Sequence, residues 1–179
     1  IYAPSSPEEC RQIIDYALEH QGPVYIRLDG KPLPALHDEQ YRFVPGQIDV
    51  LRKGRDITLV GLGSTVHEIV TAAELLAEKG LSATVVNLSS IRPCNTQQLL
   101  EILSETPRII TVEEHNVNGG AGSLVAQVLA EAGSGIPLVR LGIPDGQYAI
   151  AADRSAMRAH HGLDATGIVN AALRLCPGG

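Results

Sequence analysis

The sequence contains no tryptophan and one phenylalanine, and aromatics make up 3% of its 179 residues. Its core must therefore be built from Val, Ile, Leu and Ala. Branched aliphatic cores of this kind suit parallel sheets covered by helices. Cysteine is scarce: Cys10, Cys94 and Cys176 stand far apart, and no pair has metal or redox spacing. So odd and sparse a count reads as small buried or surface thiols in a reducing cytoplasm, the expected location. No apolar run approaches the roughly 18 residues that cross a bilayer, and no signal peptide is visible. No membrane partner is expected. Basic residues are the minority, 14 against 20 acidic, for a formal charge of −6. Nucleic-acid binders usually carry a basic patch, so no nucleic-acid partner is expected either. An initiator Met is also missing. The chain opens with IYAPSSPEEC and reads as a fragment or a processed piece. It shows no internal repeat and no low-complexity tract.

What is present is 44% hydrophobic, enough for one ordinary domain with a core. Ser6-Pro7-Glu8-Glu9 has the form of a capping box, with a Ser N-cap, Pro at the first helical position and Glu three residues on. It predicts a helix from Pro7 to about His20, stopped by Gly22-Pro23. Val24–Leu28 reads as a strand with Arg27 near its end. From Asp29 to Arg55 the periodicity fades among Pro32, Pro34, Pro45 and Gly46. Tyr41–Val44 and Ile48–Leu51 are candidate short edge strands within this connector.

From Asp56 onward the pattern is regular. Ile57–Val60 reads as a buried strand, Gly61–Thr65 as a turn, and the residues to Lys79 as a helix. Gly80 is expected in the left-handed conformation behind that helix. Ala83–Leu88 is the next strand. Asn95 is a predicted N-cap, with Gln98 at the N3 position. Ile109–Val112 is a third strand and Ile136–Leu141 a fourth. Helices are expected from Ser123 to about Ala132, over Arg154–His161 and over Ala165–Leu175. The order β-α-β-α-β-α-β-α-α predicts a three-layer α/β/α domain with a mostly parallel sheet. With an edge strand from the connector, the sheet has about five strands.

The stretch Arg108–Val125 carries the densest chemistry. The acids Glu113 and Glu114 and His115 follow a buried strand, and the glycines Gly119, Gly120 and Gly122 lead into a helix. Glycines allow turns where a Cβ would clash. The C-terminal ends of strands are where open α/β sheets place ligands or partners. Adjacent on a strand, Glu113 and Glu114 point to opposite faces and cannot form a simple two-carboxylate acid/base pair. His115 has no identifiable partner in the sequence, and the histidines lack metal spacing. Gly61-Leu62-Gly63-Ser64-Thr65-Val66 invites a dinucleotide reading. It lacks the third glycine, and Asn87-Leu88-Ser89 stands where a ribose would need an acid. Arg27, followed by Asp29-Gly30-Lys31, can hold a phosphate bidentately or pair with Asp29 or another acid.

Together these segments resemble the C-terminal part of transketolase-like thiamine-diphosphate enzymes. The resemblance is carried by Ala3-Pro4-Ser5 with GPVYIRLDG, by DITLVGLGSTVHEIVTAAELLAEKGLSATVVNLSSIRP, by TVEEHNVNGGAGS, and by GIPDGQY and HGLDATGIV. Transketolases, deoxyxylulose-phosphate synthases and beta subunits of 2-oxo-acid dehydrogenases share this plan. The resemblance implies three parts. Residues 1–28 are the last helix and strand of the pyrimidine-binding domain, 29–55 a connector, and 56–179 the third domain. It implies that thiamine diphosphate and Mg²⁺ belong to the complete enzyme and are not bound by this portion. The activating glutamate and the diphosphate motif lie upstream, in domains or a subunit that must act as partner. The complete enzyme is expected to be a homodimer moving a two-carbon ketol unit between sugar phosphates. By the same resemblance, Arg27 contacts the substrate phosphate, and His115, Gly119 and Gly120 serve an interface or packing. A synthase or dehydrogenase branch remains open, as do a non-catalytic pairing module and a nucleotide-binding domain.

Overall fold

The computed structural model describes residues 1–147 and 151–176. Helix α1 spans Pro7–Glu19, and the Ser6 side chain accepts from the Glu9 backbone N–H at its start. The Glu9 carboxylate reaches back to Ser5, accepting from its backbone N–H at 2.7 Å and its hydroxyl at 2.8 Å, not to the cap residue as a capping box would. The same buried carboxylate accepts from Tyr41 and from Asn87, so it ties the first helix to the connector and the sheet. A buried carboxylate is tolerated because donors surround it.

The expected strand at Val24–Leu28 does not form. It retains one parallel bridge, Tyr2 to Ile26, and among the described residues that bridge is its one β-pairing, too little to build a strand. Tyr41–Val44 is likewise no strand. Gln12 takes its backbone groups, donating to the Tyr41 carbonyl and accepting from the Phe43 N–H. The second candidate does pair, one residue later than expected, as β1 over Asp49–Arg52.

The remaining elements follow in the predicted order. They are β2 (Ile57–Gly61), α2 (Thr65–Ala77), β3 (Ala83–Asn87), α3 (Thr96–Ser104), β4 (Ile109–Asn116), α4 (Ala121–Glu131), β5 (Leu138–Ile143), α5 (Arg154–His161) and α6 (Ala165–Leu175). The sheet order is β1-β3-β2-β4-β5. β1 runs antiparallel to β3, and every other pair is parallel. Gly80 has φ +81°, and Asn95 accepts from the Gln98 N–H at 3.0 Å; both match the sequence.

Alternation along the strands sorts side chains into two cores. Ile57, Leu59, Ile110 and Val112 pack under α2 and α6 with Ile69, Leu76 and Ile168. Val60, Val86 and Ile109 face α3 and α4 with Leu99, Leu103 and Val125. Helices on both faces of a five-stranded mixed sheet make the three-layer α/β arrangement. Among the described residues, no helix is long and apolar enough to cross a membrane.

Candidate functional site at the C-terminal ends of the strands

β4 runs four residues past its expected end, through Glu113, Glu114, His115 and Asn116. The cause is β5, which starts at Leu138 and reaches Ile143, so Asn116 still has a partner there. The chemistry-bearing residues are therefore part of a strand, and their faces are fixed by its alternation.

Glu113 and His115 share the α4 side. Glu113 is fully buried. Its Oε1 accepts from the Gly122 N–H at 2.8 Å, inside the first turn of α4, where free amides and the helix dipole favour an anion. Its Oε2 has no hydrogen-bond partner and lies 3.5 Å from His115 Nε2. The other ring nitrogen, Nδ1, lies 2.9 Å from the Asn116 carbonyl. The partner of His115 is thus the acid two residues earlier. Period-two spacing on a longer strand is the signal that points to it.

Glycine is required here by close approach. A Cβ at Gly120 would stand 1.8 Å from Glu113 Oε2, and one at Gly122 would stand 2.6 Å from Thr111 Oγ1. Gly119 instead needs its φ of +85°, which side chains disfavour.

Glu114 faces the other way, into an ion network that the sequence does not reveal. Its Oε2 accepts from Ser64 Oγ at 2.9 Å and from Arg158 at 2.6 Å. Its Oε1 lies 3.2 Å from Arg154 Nε. Arg158, almost buried, also donates to Glu68 at 2.8 Å and to Ser64 at 2.7 Å. Arg154 donates to Asp29 as well. Burial alone would raise the Asp29 pKa. Hydrogen bonds from Arg154 and the Lys31 N–H, with the charge of Arg154, outweigh it and hold Asp29 below the usual carboxylate value. The members of this network lie up to 125 residues apart in sequence, which no local pattern signals.

These residues border a cleft of about 260 Å³ between the N-terminal segment and the strand ends, lined by Arg27, Asp29, Ser64, Glu114, His115 and Arg154 among others. A wider cavity of about 790 Å³ adjoins it, and Arg27, His115, Gly119 and Gly120 reach that one. Arg27 is exposed. Among the described residues the one hydrogen-bond contact of its guanidinium is to the Glu114 carbonyl at 3.5 Å, too long for a firm hydrogen bond. Asp29, one candidate partner from the sequence, is taken by Arg154. Arg27, Glu114 and His115 are therefore brought together, while Glu113 lies behind them under α4. The turn at Gly61–Thr65 receives Ala3, whose carbonyl accepts from the Gly63 N–H at 3.2 Å. Chain residues thus stand over the loop that invited a dinucleotide reading. Among the described residues, no group of three His, Cys, Asp or Glu side chains is placed to hold a metal ion. Tyr148, the end of the GIPDGQY segment, lies outside the described residues.

The family description "Transketolase, C-terminal domain" matches residues 46–168. The chain is 63% identical over 175 residues to an apulose-4-phosphate transketolase subunit of Actinobacillus succinogenes, covering 98% of this chain and 56% of that protein. It is 36% identical over 178 residues to 1-deoxy-D-xylulose-5-phosphate synthase 1 of Geobacter sulfurreducens, covering 96% of this chain and 27% of that protein. Among solved structures, a split-gene transketolase described as an inactive beta4 tetramer superposes with a TM-score of 0.86 at 36% identity, covering 97% of this chain and 55% of that one. A transketolase mutant from Pichia stipitis shares the fold, with a TM-score of 0.68 at 17% identity over 97% of this chain and 24% of that one. The chain spans about half the length of the apulose-4-phosphate transketolase subunits it matches.

Proposed function

The chain belongs to the transketolase C-terminal domain family, and from that membership we propose that it is the C-terminal portion of the C-terminal subunit of a split transketolase. The complete enzyme transfers a two-carbon ketol unit between sugar phosphates, with apulose 4-phosphate as substrate. The observation that carries this reading is the 63% identity to an apulose-4-phosphate transketolase subunit across 98% of the chain. Synthase relatives match at 36% over a similar span. They make the synthase the second reading.

Family relatives are thiamine-diphosphate enzymes. When bound, that cofactor supplies the carbanion chemistry of ketol transfer. The residues present do not fit it. The diphosphate needs a divalent cation, and among the described residues no group of three or more His, Cys, Asp or Glu side chains is placed to hold one. Glu113, fully buried at the end of β4, accepts from the Gly122 N–H at one oxygen, turns the other to the His115 ring and lines neither cavity. We therefore assign the cofactor to the upstream domains and to the partner subunit. In this reading residues 1–28 end the pyrimidine-binding domain, 29–55 connect, and 56–179 form a third domain that pairs two copies of this subunit.

Within this portion Arg27 is the substrate residue. Its guanidinium is exposed in the cleft, and among the described residues it makes no ion pair. Its planar fork can take two phosphate oxygens. His115 and the two glycines beside it hold the shape of the neighbouring wall.

The test is a ketol-transfer assay with the full-length C-terminal subunit assembled on its partner subunit. The expected result is turnover of apulose 4-phosphate by the assembled enzyme and none by either subunit alone. Condensation of pyruvate with glyceraldehyde 3-phosphate at a higher kcat/KM would instead support the synthase.

A further inference from the structure

Arg27 is held weakly for a residue meant to meet a ligand in a fixed place. Its segment has one bridge to the rest of the chain, at Tyr2 and Ile26. The Arg27 N–H donates to the Tyr2 carbonyl at 2.8 Å, and nothing in the sheet continues beyond it. Leu28 is 57% exposed. The next anchor along the chain is Asp29, whose side chain is 11% exposed.

That anchor is fastened by Arg154, at the start of α5. The Arg154 guanidinium donates to Asp29 from one nitrogen, while its Nε lies 3.2 Å from Glu114 Oε1. Glu114 is itself immobilised at its other oxygen by Ser64 and Arg158. An ion pair to Glu114 on β4 and a charge-assisted hydrogen bond to Asp29 thus meet at Arg154, and together they link β4 to the residue two positions after Arg27. Such bonds are the strong ones, and a guanidinium fixes direction as well as distance.

We propose that Arg154 is a positioning residue for substrate-phosphate recognition: it clamps Asp29 to the third domain and so fixes where Arg27 presents its guanidinium. The third domain then sets substrate selection without touching the reacting atoms. This rests on the reading of Arg27 as the phosphate contact. Both Arg154 contacts are to carboxylates of this chain, so its role is mechanical and not a second phosphate site. A small misplacement of a binding group costs rate and affinity steeply.

The experiment uses the full-length C-terminal subunit assembled with its partner, assayed on a phosphorylated ketose and on its unphosphorylated analogue. For Arg154→Ala the expected result is a KM for the phosphorylated ketose raised roughly five- to twentyfold, with kcat within about twofold. Asp29→Asn should give the same split, and Arg154→Lys should recover part of the loss. On the phosphorylated ketose, Arg27→Ala combined with Arg154→Ala should be no worse than Arg27→Ala alone, since both changes act on one contact. Arg108→Ala serves as the structural control. Its Nε donates to the Leu175 carbonyl at the opposite end of the sheet, and it should leave both KM values unchanged. Assembly of each variant is checked by sedimentation. Equal losses on both substrates for Arg154→Ala, or full additivity with Arg27→Ala, would overturn the proposal. If Arg27→Ala discriminates between the substrates and Arg154→Ala does not, the positioning role alone falls. If Arg27→Ala fails to discriminate, the phosphate reading falls and the positioning role with it.

Discussion

The carboxylate of Glu113 occupies the space that a side chain at Gly120 would need, since a Cβ there would stand 1.8 Å from Oε2 and 2.3 Å from the His115 ring. The Glu113–His115 pair on β4 and the glycine loop before α4 are therefore one unit. The glycines are set by the acid beneath them as much as by the turn.

Gly120→Ala should destabilise the protein by about 2–4 kcal/mol, because the Glu113 carboxylate that its Cβ meets is fully buried and held by the Gly122 N–H. Gly135→Ala, with nothing within 4 Å of its Cβ, should change stability by less than about 0.5 kcal/mol. Urea denaturation of the two variants measures the difference. Equal midpoints would show that the Glu113 side chain can relax.

Arg158→Ala should cost about 2–4 kcal/mol, since it strips Glu114 and Glu68 of their shared partner inside a largely buried network. Arg158→Lys should recover less than half of that. An ammonium cannot span Glu68, Ser64 and Glu114 as the guanidinium fork does. Full recovery by lysine would mean that charge alone matters at this position.

The pH dependence of stability should carry a signature of His37. Burial alone would lower its pKa. The Asp49 carboxylate at 2.7 Å, helped by the charges of Glu9 and Glu8, outweighs burial and holds it above the ordinary 6.5. A value raised in the folded state means that the folded protein binds this proton more tightly than the unfolded chain does. The stabilisation is then complete below pH 6.5 and is lost as pH rises through the folded value. Denaturation midpoints should fall over that range in the wild type and stay nearly flat in His37→Gln. A parallel fall in both would assign the effect elsewhere.

Much of the fold is legible because its signals are local. Ser6, Asn95 and Gly80 mark helix ends by their own side chains or φ, and the apolar runs of β2, β3 and β4 are short and continuous. Two segments mislead. Val24–Leu28 has the composition of a strand, yet a strand exists only where neighbours share its hydrogen bonds. Tyr41–Val44 loses its backbone groups to Gln12. In the candidate site, the opposite facing of Glu113 and Glu114 follows from alternation, and the structure bears it out. The partner of His115 is hidden because the apolar run stops at Val112 while the strand does not. Arg154 and Arg158 carry no signal at all. Their carboxylate partners are brought to them by the packing of α5 over the strand ends.

Arg27 as the substrate-phosphate residue is tested most directly by steady-state kinetics of Arg27→Ala in the complete enzyme, on a phosphorylated ketose and its unphosphorylated analogue. Loss of a charged hydrogen-bonding partner predicts a KM for the phosphorylated substrate raised roughly tenfold or more, with little change for the analogue. Equal losses on the two substrates would contradict it.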